Sequence, residues 1–382
     1  MSGARRLGVA RAVVDDVLVP GDVEVTDGRV TAVGLPPAAT GTAVPGLVDL
    51  QVNGYGGVDL LDADEDGWAR AAQALARDGV TAFVANLVTA APERTAAALR
   101  HVDVRARGEA ATPRQRPDAP ATARLLGAAL EGPFLSPQRA GVHAPEHLRA
   151  PAVDELRALV GESAVVGLTL APDLPDAVDV VRWAAAHGLL VSLGHSACSA
   201  ADAHAAFDAG ARTVTHLFNA MAPLAAREPG LAGAALSRPD VVVQLICDGV
   251  HLADETLRVA LAAACGGWIL VTDAMAAAGQ GDGDYELGGR TVTVRAGVAR
   301  DADGVIAGSI TTLAGSIREA VRVGADELTA IRAATTGPAR LLGCEQRGVE
   351  LGRLRPGDPA DLVVLDDALE VGRVLTDGVE VV

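Results

Sequence analysis

Lysine is missing from this 382-residue chain, and all 32 of its basic residues are arginine. Codon bias in a GC-rich genome accounts for the missing lysine, yet the absence has a chemical consequence. Any anion must be bound by arginine, protonated histidine or backbone N–H groups. Aromatics are almost as scarce, at 2% against 49% hydrophobic residues overall, so the core has to be built from Ala, Val and Leu. That favours an α/β fold of many short Val-rich strands over an aromatic-centred sandwich. Positive charge is also short: a net −17 argues against a nucleic-acid partner. The four cysteines, Cys198, Cys247, Cys265 and Cys344, form no C-x-x-C pair, which reads as buried reduced thiols in a reducing compartment. No run of about 18 apolar residues is present, so no membrane span is expected. The N-terminus MSGARRLGVARAVVDDVLVP carries acids where a signal peptide needs its apolar stretch, and the expected location is cytoplasmic.

What is present falls into a β-rich frame around an α/β centre. Residues 7–45 alternate in short strands, with Asp27-Gly28 as a hairpin turn, and the last thirty residues repeat the style. The expectation is one small β-domain, a β-sandwich assembled from 1–45 and 346–382, flanking a barrel over 46–345. Within the barrel region lie eight apolar runs of strand length: 46–52, 81–88, 125–130, 165–171, 189–193, 213–218, 241–247 and 268–272. Most are followed by a Gly/Pro/Asn/Asp-rich loop and an Ala-rich helical segment such as DGWARAAQALARDG. Eight βα units with near-continuously apolar strands predict a closed (β/α)8 TIM-type barrel. The alternative, an open doubly wound sheet, normally shows G-x-G-x-x-G after its first strand, and Asn53–Gly57 reads N-G-Y-G-G instead. Residues 107–122 read as a polar connection, and 283–308 as a hairpin-like insert.

Active sites of such barrels gather at the C-terminal ends of the strands. Those ends here carry Gln51 and Asn53, Glu131, His195, His216, Asp248 and His251, and Asp273. A lone strand-end histidine is usually a hydrogen-bonded core residue. Several ionisable groups on one rim are costly to bury without a metal or substrate. Glu131, His195 and His216 make a common three-ligand set for catalytic zinc with a position left open. Asp273 beside them is placed to act as general base and then general acid; its bland alternative is a helix N-cap. His147, His187 and His204 fall in helical segments and His101 near a helix end, and all four read as surface or packing residues. His143 and His147 are spaced H-x-x-x-H, but Ala144 stands where the zinc proteases have Glu.

The motifs L-E-G-P-F, G-V-H-A-P-E, L-G-H-S, T-H-L-F-N-A-M, D-G-V-H, V-T-D-A-M and I-A-G-S occur in this order between Val44 and Leu342. Together they resemble the N-acetylglucosamine-6-phosphate deacetylases of the amidohydrolase superfamily; the P-G-D-x-A-D-L-V-V-L tail is typical of the wider superfamily. The resemblance implies a divalent metal on Glu131, His195 and His216, most naturally Zn2+, with Fe2+, Co2+ or Mn2+ as alternatives. It implies Asp273 as acid/base and His143 as the contact to the acetamide carbonyl. Sugar-phosphate contacts are implied at Val142, Asn219, Ala220, Arg227, Asp248, His251 and Ile306, Ala307, Gly308, in a homodimer. Many amidohydrolases carry H-x-H after the first strand and a carboxylated lysine between two metals. This chain has Gln51-Val52-Asn53 and no lysine, so one metal per subunit is expected. Two rivals to glucosamine deacetylation stay open: the same chemistry on the galactosamine epimer, and a non-catalytic sugar-phosphate-binding barrel.

Overall fold

In the computed structural model, which describes residues 3–38, 40–111, 121–161 and 163–381, the eight apolar runs form one parallel sheet. Its strands are β1 (Leu47–Val52), β2 (Val80–Val88), β3 (Arg124–Glu131), β4 (Val165–Leu170), β5 (Leu190–Leu193), β6 (Thr213–Val214), β7 (Val242–Leu245) and β8 (Trp268–Leu270). They pair in strict chain order, β1 with β2 through to β7 with β8. A helix follows each strand, and the one after β1, Glu65–Arg77, shows why. Asp64 caps its N-terminus by accepting from the Gly67 N–H, and Trp68, Ala71, Ala72, Leu75 and Ala76 form a buried stripe at helical spacing.

β8 and β1 share no ladder, yet the seam between them is closed. Val52 bridges Ala274, the Asn53 N–H donates to the Ala274 carbonyl at 2.8 Å, and Thr272 Oγ1 donates to Asp49 Oδ2 at 2.6 Å. Burial pushes the Asp49 carboxyl up to about 7, against the hydrogen bonds from Thr272 and Gln51.

Several strands stop short of the apolar runs that predicted them. β6 ends at Val214 rather than at Phe218, because His216, Phe218 and Ala220 take φ values of 32°, 75° and 50°. β8 ends at Leu270, before Asp273 at φ 50°. Left-handed backbone costs a non-glycine residue about 1–3 kcal/mol and collects at functional sites. Asp273 is therefore a turn residue at a strand end and not a helix N-cap.

The chain ends share structure as expected. Thr42–Pro45, Arg11–Val14 and Val17–Pro20 join Leu362–Leu365, Val371–Thr376 and Val379–Glu380 in a six-stranded sheet. A three-stranded sheet of Arg5–Arg6, Asp22–Thr26 and Arg29–Leu35 shares a buried apolar cluster with it, Val23, Val25 and Val30 joining Ala12, Ala43 and Leu362. Asp27 and Gly28, at φ 49° and 75°, form its hairpin turn. The insert after β8 is three-stranded, over Gly283–Leu287, Arg290–Arg295 and Val298–Arg300. Of the polar connection expected over 107–122, helix Pro92–Ala111 takes the first residues and 112–120 lie outside the described residues. That helix also places His101 mid-helix, while His147 ends a short 3-10 turn. Cys265 is exposed, unlike the buried Cys198, Cys247 and Cys344.

Candidate active site

At the C-terminal mouth of the barrel, β3, β5 and β6 deliver one carboxylate and two imidazoles to a single point. His195 Nε2 stands 2.9 Å from Glu131 Oε1, His216 Nε2 stands 3.1 Å from the same oxygen, and the two nitrogens are 3.1 Å apart. Ligands about 2.0–2.2 Å from a tetrahedral metal lie a little over 3 Å from one another, so the spacing fits one ion at the centre. The His195 Nδ1–H donates to the Arg139 carbonyl at 2.9 Å, which leaves the Nε2 lone pair free for the cluster. Gly141 makes room for this ring: at φ 61°, a Cβ there would stand 3.2 Å from His195 Cε1.

Electrostatics point the same way. Burial alone would raise the Glu131 carboxyl, but the imidazoles of His143, His195 and His216 facing it hold it well below the usual range. Burial depresses His195 to about 4, keeping it neutral. Burial would lower His216 as well, but Glu131 and Asp273 facing it raise it instead. Two carboxylates and two imidazoles in one buried cluster leave net negative charge that a divalent cation would neutralise.

Asp273, just past the end of β8, is half-buried in the cavity wall. Its Oδ1 accepts from Asn53 Nδ2 at 2.7 Å and Gln51 Nε2 at 3.0 Å. Burial, then the charge of Glu131, raises this carboxyl to about 6, opposed by His216, His251 and Asn53. His143 approaches Glu131 Oε1 at 3.8 Å, and its Nδ1 accepts the Thr89 N–H at 3.2 Å. The proton of a neutral His143 is therefore on Nε2, a donor aimed into the site.

These groups line a cavity of about 380 Å³, a size that holds a small ligand. Asn53, Glu131, Val142, His143, His195, His216, Asn219, Ala220, His251, Asp273, Ile306 and Gly308 all contribute to its wall. Gly308, at φ 68°, lets its loop close on Asp273, whose carbonyl a Cβ there would meet at 2.8 Å. Three expected contacts lie off the wall. Ala307 is buried behind it. Asp248 stands behind His251, accepting from its Nδ1 at 2.7 Å and from the Val250 and His251 N–H groups at 2.9 Å. Arg227 is exposed on the loop after β6. Sequence reasoning passed over Asn86 on β2, whose Nδ2 donates to Glu131 Oε2 at 2.6 Å and Asn53 Oδ1 at 2.9 Å. It also passed over Thr89 and the Arg139 carbonyl. Asn86 had one available signal, a lone amide inside the apolar run VTAFVANLV.

Comparisons with known proteins agree with this geometry. The amidohydrolase family profile matches residues 42–381. The N-acetylgalactosamine-6-phosphate deacetylase of Escherichia coli O157:H7 is 35% identical, over 98% of this chain and 97% of its own length. The N-acetylglucosamine-6-phosphate deacetylase of Bos taurus is 37% identical, over 87% of this chain and 82% of its own length. The solved N-acetyl-D-glucosamine-6-phosphate deacetylase of Mycobacterium smegmatis, in complex with N-acetyl-D-glucosamine-6-phosphate, superposes with a TM-score of 0.89 at 36% identity over all of both chains. This chain belongs to the amidohydrolase family, among the N-acetylglucosamine-6-phosphate deacetylases.

Proposed function

We propose that the chain hydrolyses the acetamide of N-acetylglucosamine 6-phosphate to glucosamine 6-phosphate and acetate, with one divalent metal per subunit. The observation that carries this reading is the Asp273 carboxylate held by two amides on the cavity wall beside the Glu131, His195 and His216 cluster. One carboxylate and two imidazoles suit Zn2+, and Fe2+, Co2+ or Mn2+ can use the same donors. A cation held there would supply Lewis acidity, polarising the carbonyl and lowering the pKa of water toward neutrality. Asp273 takes a proton from the attacking water and returns it to the departing nitrogen. His143 donates its Nε2–H to the oxygen on which negative charge develops. Buried Asp248 orients His251, which with Asn219 and the Ala220 backbone faces the sugar phosphate. The four free thiols suit the reducing cytoplasm.

The base must be ionised to work, so activity should fall as pH drops through its pKa. Asp273 starts from about 6, and a cation beside it pulls that value down. The acid limb of kcat/KM is expected at or below about pH 6; a limb near neutrality would separate it from Asp273.

Arg227 does not line its own subunit's cavity, and we assign it to the phosphate in the partner subunit of a homodimer. Arg227→Ala should lower kcat/KM roughly ten- to a hundred-fold on the phosphorylated sugar, the loss of about 1.5–3 kcal/mol for a charge-assisted contact. It should change little on the unphosphorylated sugar, and equal losses on both would remove the arginine from phosphate recognition. Mixing Arg227→Ala with Asp273→Asn subunits should restore activity in heterodimers. No recovery despite proven subunit exchange would return Arg227 to its own chain.

The full-length match to a galactosamine-6-phosphate deacetylase supports a second reading on the C4 epimer. Acetate release from both phosphorylated epimers decides between them, and release from neither would defeat the deacetylase reading.

A further inference from the structure

We propose that Asn86 keeps this centre at one metal, by filling with its two amide N–H bonds the oxygens that a second cation would need. The inference rests on the metal-dependent reading above.

The carboxylate of Glu131 is divided between two tasks. Its Oε1 faces His195 and His216, while its Oε2 accepts from Asn86 Nδ2 at 2.6 Å. The other N–H of Asn86 goes to Asn53 Oδ1 at 2.9 Å, which orients that amide so that its own Nδ2 donates to Asp273 Oδ1 at 2.7 Å. Asn86 is only 4% exposed and Asn53 3%, so water does not compete freely for these bonds. The short contact to an ionised carboxylate is a charge-assisted hydrogen bond, roughly twice as strong as a neutral one.

A second cation beside the first would have to take Glu131 Oε2 as a bridging oxygen and draw on the side chains at positions 51 and 53. The positive edge of the Asn86 amide already sits against Glu131 Oε2 and Asn53 Oδ1. It neutralises part of the carboxylate's charge without an ion, and displacing it would break two buried hydrogen bonds. Gln51 is committed through Nε2 to Asp273, leaving its Oε1 buried with no partner. Asn86 is thus a positioning residue with two effects. It holds Glu131 so that Oε1 faces the imidazoles, and it blocks the adjacent ground. The bland alternative is that Asn86 only fills the polar interior of the barrel beside Thr169, Ser192, Thr215 and Gln244.

Substituting Asn86→Asp tests this, because it turns two donors into acceptors of the same shape. The new carboxylate, Glu131 Oε2, Asn53 Oδ1 and Gln51 Oε1 would then make an all-oxygen set suited to Mn2+. Metal-free wild type and variant are each equilibrated with excess Zn2+ and Mn2+, desalted and analysed for metal. Wild type should retain one ion per chain and Asn86→Asp two, with the second as Mn2+ visible by electron paramagnetic resonance. In Asn86→Leu, which removes the hydrogen bonds alone, the Zn2+ Kd from chelator competition should weaken about 10- to 100-fold. Two ions in the wild type, or one in Asn86→Asp, would overturn the proposal. If Asn86→Asp does not fold, Asn86→Ser takes its place, with uptake of a second, weaker Mn2+ expected and a single ion overturning the idea. A wild type that binds no metal at all would instead defeat the metal-dependent reading itself.

Discussion

Asp273→Asn is expected to keep its metal and lose about 10²- to 10⁴-fold in kcat, the usual contribution of a general base. The substitution preserves shape and changes one property. Asp273 Oδ1 accepts from both Gln51 and Asn53, so the carbonyl oxygen of the new amide takes that place. Its NH2 group is left on the other side, where the carboxylate had an oxygen able to receive a proton. Glu131, His195 and His216 are untouched, so metal content should equal that of the wild type. KM should move little, because Asp273 acts on the proton rather than on the sugar. Steady-state kinetics with metal analysis on one preparation checks all three statements. A variant that keeps metal and more than about a tenth of wild-type turnover removes Asp273 from the base role.

The barrel was legible in the sequence because most strands are apolar runs closed by a loop rich in Gly, Pro, Asn or Asp and followed by a helical stripe. Strand lengths were less so. Thr213–Phe218 reads as one run, yet its second half bends through left-handed backbone to aim His216, which hydropathy does not register. The cluster of Glu131, His195 and His216 was legible as polar residues at the ends of apolar strands, and the motif resemblance then suggested a metal-binding role for it. Asn86 was not: its partners Asn53 and Glu131 lie 33 and 45 positions away, and only barrel closure brings them together. The tautomer of His143 was equally hidden, since it is set by the backbone N–H of Thr89. Arg139 supports His195 through its carbonyl, a role open to any residue type. Asp248 entered as a substrate contact through the resemblance; the structure places it behind the His251 ring.

Removing the metal should have the other large effect. Without a cation, Glu131 and Asp273 repel each other across a buried site, and the two imidazole nitrogens face each other at 3.1 Å with no ion between them. Lewis acidity at such a site is worth several kcal/mol, and each 1.36 kcal/mol is about tenfold in rate. Acetate release should therefore fall by at least a hundred-fold on that scale. Stability should fall with it, because an ion present at about 100 times its Kd contributes about 2.7 kcal/mol to the folded state. The most direct test strips the protein with a chelator and titrates Zn2+ back while following acetate release from N-acetylglucosamine 6-phosphate. The account predicts near-zero release from the stripped protein and a linear rise that saturates at one Zn2+ per chain. Undiminished release without metal, or a rise that continues to two ions per chain, would contradict it.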